Sequence, residues 1–248
     1  MSTIAVIFAG GVGKRMHSKD LPKQFLKIHE KPIIVHTVEL FNDHPEIDSI
    51  VIACVTEWID YLNSLITKYN LGKVRMVVPG GNTAQQSIFK GLEAAESISE
   101  KNDDIVLIHD GVRPLITSKT ISDNIRSVKE HGSAITSVKV KETVLLVDQD
   151  ESIREVPSRS DSRLARAPQS FFLKDIIGAH RQALEDNKIE FIDCCSMMQY
   201  YGNKLYLIEG PQENIKITTP DDFYSMRAIL DARENAQIYG FEGGIWVY

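Results

Sequence analysis

The stretch Ile4-Ala5-Val6-Ile7-Phe8, which runs directly into Ala9-Gly10-Gly11, decides the fold. Five apolar residues in a row, without alternation, predict a β-strand that is buried on both faces, as in a parallel sheet. The glycines that follow predict a tight turn in which the backbone can approach a ligand closely. We therefore expect a binding site at the carboxyl end of this first strand.

The same pattern recurs along the first half of the chain, where further apolar runs alternate with segments of helical spacing. The predicted strands are Ile50–Cys54, Val74–Val78 and Ile105–Ile108, and the predicted helices are Ile33–Phe41, Trp58–Tyr69 and Ser87–Glu96. Strands and helices in this order, joined by right-handed crossovers, predict a Rossmann-like, doubly wound α/β fold with a mostly parallel sheet.

The pattern changes in the middle of the chain. Val138–Val147 alternates apolar and polar residues, and Gln149-Asp150 predicts a turn into Ile153–Val156. Alternation of this kind is typical of a half-exposed antiparallel hairpin. We therefore predict an inserted β-arm at about residues 136–160.

The second half of the chain returns to the first pattern. A polar and basic segment, Ser158–Arg166, follows the predicted arm, and the sheet pattern resumes at Phe171 and continues to Leu205–Glu209. Pro220–Arg233 predicts a last helix. The sequence thus indicates one domain with an inserted arm.

Composition narrows the class of protein. The chain has 248 residues, of which 43% are hydrophobic and 25% charged, enough for one large domain or two small ones. We assign residues 1–236 to a single domain and residues 237–248 to a tail. The net charge of −6 argues against a bulk nucleic-acid binder, and no apolar stretch approaches the roughly 20 residues of a membrane span.

Cysteine use and the N-terminal residues bear on location. The three cysteines are Cys54, Cys194 and Cys195, an odd number with two adjacent, which suits neither a disulfide framework nor a zinc site. Residues 1–10 have no basic segment ahead of their apolar run, and we identify no export signal. We expect a cytoplasmic protein.

The first glycine loop carries candidate phosphate ligands. Residues 9–16 include Lys14 and Arg15, and Lys23 follows on a segment that Pro22 keeps stiff and non-helical. The spacing matches neither a Walker A motif nor a dinucleotide-binding fingerprint. Successive backbone N–H groups and three nearby cations suit a phosphate. The alternative is a glycine turn with a solvated basic edge.

Two further segments follow predicted strand ends. Residues 79–87 are polar and glycine-led, so they could contact the edge of a neutral base, or they could simply start a helix. In residues 109–114, Asp110 could hold Mg²⁺ beside phosphates, and Arg113 could pair with Asp110 or with an anion. The alternative for this segment is a buried structural Asp–Arg pair.

The fourth segment, residues 214–222, contains one unusual charge. Thr219 and Pro220 predict a helix start, with Thr219 as the cap and Pro220 as the first helical residue. Lys216 lies among apolar residues, where an unpaired charge would be costly. Capping does not explain Lys216, which makes it a candidate for function.

Taken in order, the motifs in these segments resemble those of one enzyme family. The motifs are Ala-Gly-Gly-x-Gly-x-Arg-Met at 9–16, Leu-Pro-Lys-Gln-Phe at 21–25, Pro-Gly-Gly at 79–81, His-Asp-x-x-Arg-Pro at 109–114, Ala-Pro-Gln-Ser-Phe at 167–171 and Glu-Asn-Ile-Lys-Ile-Thr at 213–218. Together they resemble the cytidylyltransferases that act on 2-C-methyl-D-erythritol 4-phosphate (MEP) or ribitol 5-phosphate. The resemblance extends from about Ile4 to Arg233.

The resemblance implies a reaction in which CTP and an alditol phosphate give a CDP-alditol and pyrophosphate, with Mg²⁺ or another divalent cation as cofactor. It implies catalytic roles for Arg15, Lys23 and Lys216, and a metal contact for Asp110. It implies nucleotide contacts for Ala9, Gly10, Gly11, Gly13, Gly80, Gly81, Asn82, Ser87 and Asp110. No role for nucleic acid or membrane is expected.

The resemblance also implies a homodimer in which the arm reaches the partner's acceptor site. Thr143 and Arg159 match the family's substrate-phosphate residues, and Arg113 and Asp193 are the other expected substrate contacts. Cys194 and Cys195 are expected to fill space beside the substrate pocket rather than to react.

Some positions depart from the MEP enzymes. Ile192 stands where those enzymes have a threonine that touches the substrate, and Ala167 replaces another threonine. The first loop and the His-Asp-Gly-Val-Arg-Pro segment look more like the ribitol 5-phosphate branch, which feeds teichoic acid or capsule synthesis. D-Ribitol 5-phosphate is therefore the expected acceptor, and MEP, a precursor of isoprenoids, is the alternative.

Other classes of protein remain as rivals at this stage. A non-catalytic nucleotide-binding protein of the same fold would be expected to lose one of the three cations. A dinucleotide-dependent dehydrogenase is disfavoured by the spacing of the first loop. A sugar-1-phosphate nucleotidyltransferase would share the glycine loop but not the motifs at 109–114 and 167–171.

Overall fold

The structure, a computed structural model, describes residues 1–10, 21–99, 101, 103–188 and 190–239. The strands within these ranges, in chain order, are β1 (Thr3–Ala9), β2 (Lys27–Ile28), β3 (Lys31–Pro32), β4 (Ser49–Cys54), β5 (Val74–Pro79), β6 (Ile105–Asp110), β7 (Ser133–Lys139), β8 (Leu146–Val147), β9 (Ile153–Glu155), β10 (Arg163–Phe172) and β11 (Leu207–Glu209). The helices are α1 (Ile33–Asn42), α2 (Ile59–Lys68), α3 (Ala84–Ile98), α4 (Ser118–His131), α5 (Leu173–Glu185), α6 (Cys194–Tyr200) and α7 (Pro220–Tyr239).

Seven of these strands form one sheet in the order β11-β7-β10-β6-β1-β4-β5. Neighbouring strands are parallel except at β10, which runs antiparallel to both β6 and β7. The prediction of a mostly parallel, doubly wound α/β sheet is confirmed. From β1 the chain first adds β4 and β5 on one side and then crosses to β6 on the other, so the switch point of the sheet lies between β1 and β6.

The core lies in two layers because alternate residues of each strand point to opposite faces of the sheet. In β1, Ala5 and Ile7 pack with helices α1, α2 and α4 on one face. Ile4 and Val6 pack with α3, α5 and α6 on the other face. All four side chains are buried, which explains the unbroken apolar run of the first strand.

The predicted arm is a short hairpin of β8 and β9, and its turn falls at the predicted Gln149-Asp150. Asp148 N–H donates to the carbonyl of Ser152 at 3.0 Å and closes the turn. Residues 136–139, which the sequence pattern placed in the arm, belong to β7 of the central sheet. The sheet also resumes at Arg163 rather than Phe171, because β10 begins in the polar segment.

The last helix begins where the sequence predicted. Pro220 is its first residue, and the Asp222 carboxylate accepts hydrogen bonds from the backbone N–H groups of Thr218 and Thr219, both at 2.8 Å. Asp222 N–H donates to the Thr219 hydroxyl at 3.4 Å. The side chains of Thr219 and Asp222 thus each accept from the other's backbone N–H, which is the arrangement called a capping box.

A third, smaller apolar cluster ties this end of the chain to the rest of the domain. It contains Ile217 and Met226 together with Ile28, Val112 and Leu115. Ile217 is fully buried, and its N–H donates to the carbonyl of Val112 at 3.0 Å. The segment before α7 is therefore held against the loop that follows β6.

Candidate functional site

A cleft opens at the switch point, beyond the carboxyl ends of β1 and β6. Its main cavity has a volume of about 310 Å³. The cavity is lined by Phe8, Ala9, Gly10, Lys23, Gln24, Gly81, Asn82, Thr83, Ala84, Ser87, Asp110, Val112, Lys216 and Thr218. Five separate stretches of the sequence thus form one concave site, at the place where open α/β sheets bind ligands.

Two glycines let the backbone segments of this cleft come close together. A Cβ atom on Gly10 would lie 2.6 Å from the Ser87 hydroxyl, and one on Gly81 would lie 2.3 Å from the Cβ of Gln86. Ser87 is buried, and its hydroxyl accepts from Gly81 N–H at 3.0 Å and donates to the Thr83 carbonyl at 2.9 Å. Ser87 therefore fixes the loop that faces Gly10.

Lys23 enters the cleft from a short turn after Pro22. The backbone of Pro22 is extended (φ −57°, ψ 142°), and a single turn of 3₁₀-helix follows over Lys23–Phe25. The Lys23 ammonium donates to the carbonyl of Ile217 at 2.9 Å, which links this turn to the last segment of the site. Gln24 is buried, and its amide donates to the Ala9 carbonyl at 2.8 Å at the end of β1.

Asp110 contacts two cations at the end of β6. Its two carboxylate oxygens lie 2.7 Å from Nε of Arg113 and 2.5 Å from Nζ of Lys216. Burial alone would raise the pKa of Asp110, but the charges of Lys216 and Arg113 outweigh burial and lower it to about 2. Lys216 also lies over the Phe8 ring, 5.5 Å from its centroid. The charge of Lys216, which would be costly among apolar residues if it were unpaired, is thus paired with Asp110.

Arg113 is held firmly on the other side of Asp110. Its guanidinium donates to Asp110 and, at 2.9 Å, to the carbonyl of Asn214. The neighbouring His109 is fully buried, and burial lowers its pKa to about 4. The buried Asp–Arg pair, kept as an alternative in the sequence analysis, does form, and Lys216 joins it as a third member.

A second cavity of about 230 Å³ adjoins the first and shares Phe8, Ala84, Asp110 and Lys216 with it. Its remaining walls are Ile88, Ile108, Arg113, Ala165, Arg166, Ala167, Gln169, Ile192, Asp193 and Cys194. Two cavities that meet at one lysine can hold two ligands side by side. Cys194 is buried, which raises the pKa of its thiol and suits a space-filling role.

Two hydrogen bonds position Asp193 in this second cavity, one from Gln169 and one from the first turn of α6. One carboxylate oxygen accepts from the Gln169 amide at 2.9 Å, and the other accepts from Ser196 N–H at 2.8 Å at the start of α6. Gln169 in turn accepts from Cys195 N–H at 2.8 Å. Ile192, beside it, is 93% exposed at the edge of the cavity.

The structure brings most of the predicted site residues together. Those that line the first cavity are Ala9, Gly10, Lys23, Gly81, Asn82, Ser87, Asp110 and Lys216, while Arg113 and Asp193 line the second. Gly80 lies directly behind, where an added Cβ would be 3.3 Å from the Cα of Gly10. The predicted residues Gly11, Gly13 and Arg15, with Lys14, lie outside the described residues.

The two arm residues are not brought to the cleft of their own subunit. Thr143 and Arg159 are exposed, and the Arg159 guanidinium donates to the Thr143 hydroxyl at 3.2 Å. Neither residue lines either cavity. Their proposed role in a partner's site remains a prediction.

Two polar residues were given no role from the sequence: Arg166, which lines the second cavity, and Asn214, whose carbonyl accepts from Arg113. Arg166 was counted only as the last residue of the polar and basic segment Ser158–Arg166, although it lies between two alanines just before Pro168. Asn214 is fully buried, and its amide donates to the Ala167 carbonyl at 2.9 Å. A charged residue between small ones in a strand was the one available signal for Arg166.

A glycine-lined cleft with cations at the switch point of a Rossmann-like sheet defines a nucleotide-binding α/β protein. The family model for 2-C-methyl-D-erythritol 4-phosphate cytidylyltransferase (IspD) matches residues 3–232. The chain belongs to this family and is a nucleotidyltransferase, specifically a cytidylyltransferase.

Three comparisons illustrate the breadth of the family. The chain is 56% identical over 240 residues to a ribitol-5-phosphate cytidylyltransferase of Streptococcus agalactiae serotype V, covering 97% of this chain and 100% of that one. It is 38% identical to a 2-C-methyl-D-erythritol 4-phosphate cytidylyltransferase of Clostridium botulinum, covering 91% and 96%. The crystal structure of 4-diphosphocytidyl-2C-methyl-D-erythritol synthase from Anaerococcus prevotii superposes with a TM-score of 0.81 at 27% identity, covering 93% and 96%.

Within the described part of the chain, no helix is both long and apolar enough to cross a membrane. The same residues contain no group of three or more His, Cys, Asp or Glu side chains arranged to hold a metal ion. Asp110 is the one carboxylate among the described residues that line the first cavity.

Proposed function

We propose that this chain transfers the cytidylyl group of CTP to D-ribitol 5-phosphate, giving CDP-ribitol and pyrophosphate. The observation that carries the proposal is the meeting of two cavities at Lys216 and Asp110, one beside Gly10 and one beside Asp193. Similarity to a ribitol-5-phosphate cytidylyltransferase over almost the whole chain supports this acceptor.

The reaction needs two anions to meet in line. An oxygen of the acceptor phosphate forms a bond to the α-phosphorus of CTP, and the bond between that phosphorus and the oxygen bridging to the β-phosphate breaks, so pyrophosphate leaves. The attacking phosphate is already anionic, so the step needs no general base. Positioning and stabilisation of the growing negative charge therefore supply most of the catalysis.

Lys216 and Lys23 are the described cations best placed to stabilise this charge. Both line the first cavity, and Lys216 also lines the second. In this proposal Lys216 contacts the phosphorus centre that both ligands share, and Lys23 contacts the phosphate chain of CTP. Arg15 would be a third cation on the glycine turn.

The nucleotide would use the loop between β5 and α3 for its base. Gly81 N–H and Asn82 N–H already donate to Ser87 and to Gln86, at 3.0 and 2.9 Å, so these contacts shape the loop. Backbone carbonyls and the exposed Asn82 side chain remain to meet the edge of cytosine. Gly80 and Ser87 then act by keeping the loop close to Gly10.

Asp110 fits a role in holding a divalent cation. Mg²⁺ commonly binds through one or two carboxylates together with phosphate oxygens of the substrate, and Asp110 supplies one carboxylate beside the proposed triphosphate site. Such an ion would neutralise charge on the triphosphate. Asp110 would then share its oxygens between the ion and the two cations that it already contacts.

The arm supports a proposed homodimer. Thr143 and Arg159 line neither cavity of their own subunit. Both are exposed, so they are able to reach the second cavity of a partner, which in this proposal binds the acceptor and is called the acceptor cavity. We propose that the partner's arm completes the acceptor site in this way.

MEP is the second candidate acceptor, and the exposed Ile192 at the edge of the acceptor cavity argues against it. The MEP enzymes have a threonine that touches the substrate at this position, and isoleucine offers no hydroxyl. The identity of 38% to an MEP enzyme, against 56% to a ribitol 5-phosphate enzyme, points the same way.

A pyrophosphate-release screen tests the proposal. The purified chain is assayed with each of four nucleoside triphosphates against ribitol 5-phosphate, MEP, glycerol 3-phosphate and a sugar 1-phosphate, with Mg²⁺ present. We expect turnover with CTP and ribitol 5-phosphate. Turnover with MEP alone would overturn the choice of acceptor, and preference for UTP or ATP would overturn the assignment of the base loop.

A further inference from the structure

Arg166 is a cation in the acceptor cavity whose charge is not balanced within the described part of the chain. It lies in β10 where the register with β7 shifts, between Ala165 and Gln169. Its side chain is half-buried and lines the second cavity. The Nε atom is buried without a hydrogen-bond partner, and no described residue forms an ion pair with Arg166.

The other charged groups of this cavity already have ion-pair or hydrogen-bond partners. Arg113 donates to Asp110 and to the Asn214 carbonyl, Lys216 contacts Asp110, and Asp193 accepts from Gln169 and from the start of α6. Burial, and then the nearby charge of Arg113, lower the pKa of Arg166. A guanidinium stays charged in proteins all the same, so this site favours an anion as its missing partner.

The chemistry of the proposed acceptor identifies that anion. A planar guanidinium can donate two parallel hydrogen bonds to a phosphate, and these charge-assisted bonds are stronger than bonds to a hydroxyl. The acceptor has one phosphate, and that phosphate must lie where the second cavity meets the first. An anion there would also relieve the repulsion between Arg113 and Arg166.

We infer that Arg166 binds the phosphate group of the alditol phosphate and holds it beside Lys216 for attack on CTP. The inference rests on the proposed function and adds a phosphate ligand from the same subunit as the cleft. Asp193, in the same cavity, is then left to accept hydrogen bonds from hydroxyls of the alditol.

The test compares Arg166→Gln and Arg166→Lys with the wild-type chain, using whichever alditol phosphate the wild type turns over. Arg181→Gln is the matched control, because Arg181 is an exposed arginine on α5 that pairs only with Glu96 among the described residues. We expect Arg166→Gln to raise the acceptor KM about ten- to hundredfold. The KM for CTP should change less than about twofold, and Arg166→Lys should recover part of the loss.

A second acceptor separates a phosphate contact from a hydroxyl contact. Erythritol 4-phosphate, one carbon shorter than ribitol 5-phosphate, is measured as an acceptor, or as a competitive inhibitor if it is not turned over. A phosphate contact predicts the same fold-loss for both compounds in Arg166→Gln. A loss confined to the longer compound would assign Arg166 to a hydroxyl and overturn the inference.

The remaining outcomes are also decisive. An unchanged acceptor KM in a variant whose melting temperature matches the wild type would overturn the inference while leaving the proposed function standing. Wild-type turnover of MEP in place of ribitol 5-phosphate would overturn only the choice of acceptor, since the same KM comparison then applies to MEP. An equal loss in Arg181→Gln would mark a general charge effect and overturn the role of Arg166.

Discussion

At the scale of single residues, Asp110 links two cations that lie on different parts of the chain. Arg113 is three residues away, whereas Lys216 comes from the segment before the last helix. The side chains of Asp110 and Arg113 are both largely buried, and the side chain of Lys216 is 39% exposed. Lys216 is thus aimed at the cleft by a partner that the sheet itself positions.

Replacing Lys216 with methionine keeps the length of the side chain and removes its charge. Because Lys216 is proposed to stabilise charge that grows during the reaction, we expect kcat to fall about 10²- to 10³-fold. Steady-state pyrophosphate release measures this. Lys174→Met, which removes an exposed lysine from α5, is the control and should leave kcat within twofold. Equal loss in both variants would contradict the role of Lys216.

Replacing Asp110 with asparagine would leave Arg113 buried and Lys216 half-buried beside a neutral group. Loss of one partner from a buried ion pair costs about 3 kcal/mol in the free energy of unfolding. Urea denaturation at pH 7 measures this change. Asp123→Asn is the matched control, since Asp123 also contacts two cations, Lys119 and Arg126, but at the surface, where loss of the pair should cost less than about 1 kcal/mol.

At the scale of elements, helices α3 and α5 meet over a buried histidine. His180 of α5 stacks on Phe89 of α3 with ring centroids 5.5 Å apart, and its Nε2 atom has no hydrogen-bond partner among the described residues. Burial lowers the pKa of His180 to about 4. The imidazole is therefore neutral in the folded protein at neutral pH.

This histidine should make the protein less stable in mild acid. Its folded pKa of about 4 lies below the ordinary value of 6.5, so the unfolded chain binds the proton first. The free energy of unfolding should fall by about 1.4 kcal/mol per pH unit from about pH 6.5 to about pH 4, and His109 should add a similar amount. His180→Leu should remove the share of this slope that His180 contributes.

Urea denaturation at a series of pH values measures the slope. His131→Gln, which removes an exposed histidine at the end of α4, is the control for the loss of an imidazole. If His180→Leu had the wild-type slope, His180 would bind protons equally well in the folded and the unfolded protein, which would contradict its buried, neutral state.

The elements that the sequence predicts best are those whose apolar pattern or helix cap is formed by residues close together in the chain. Strands β1, β4 and β6 are unbroken apolar runs because both of their faces are buried. Helix α3 starts at Ala84 rather than Ser87 because the Thr83 hydroxyl caps it, accepting from Gln86 N–H at 3.1 Å. Such a cap is readable from sequence, and the boundary error is small.

Other features depend on contacts between distant parts of the chain. The antiparallel direction of β10 leaves no mark in its burial pattern. Its first three residues are exposed and follow a polar segment, so the start of the strand resembles a loop. Lys216 could be singled out as an unusual charge, but its partner lies 106 positions earlier. For the same reason Arg166 was predicted only as the end of a polar and basic segment, although the fold places it in a cavity.

At the scale of the whole molecule, the arm exposes apolar side chains that have nothing to pack against within the described part of the subunit. Leu145, Val147, Ile153 and Val156 are 48%, 52%, 60% and 55% exposed. Clusters of exposed apolar residues mark surfaces that bind other proteins. This agrees with the predicted homodimer through the arm.

We expect sedimentation velocity to give a dimer for the wild type. Ile153→Asp combined with Val156→Asp should shift it to a monomer, because a carboxylate would be buried unpaired in the contact. Leu184→Asp, at an equally exposed apolar residue on α5, should stay dimeric. A monomeric wild type, or a dimer that survives the double substitution, would contradict the role of the arm.

The central position of β1 has a consequence for how the protein is made. Its two neighbours, β4 and β6, leave the ribosome about 50 and 100 residues after it, and Lys216 leaves another hundred residues later. A product of premature termination at residue 210 would contain all seven strands of the large sheet and yet lack this lysine. During translation, the lysine that we propose to contact the reacting phosphorus is therefore added only after every strand of the large sheet has been synthesised.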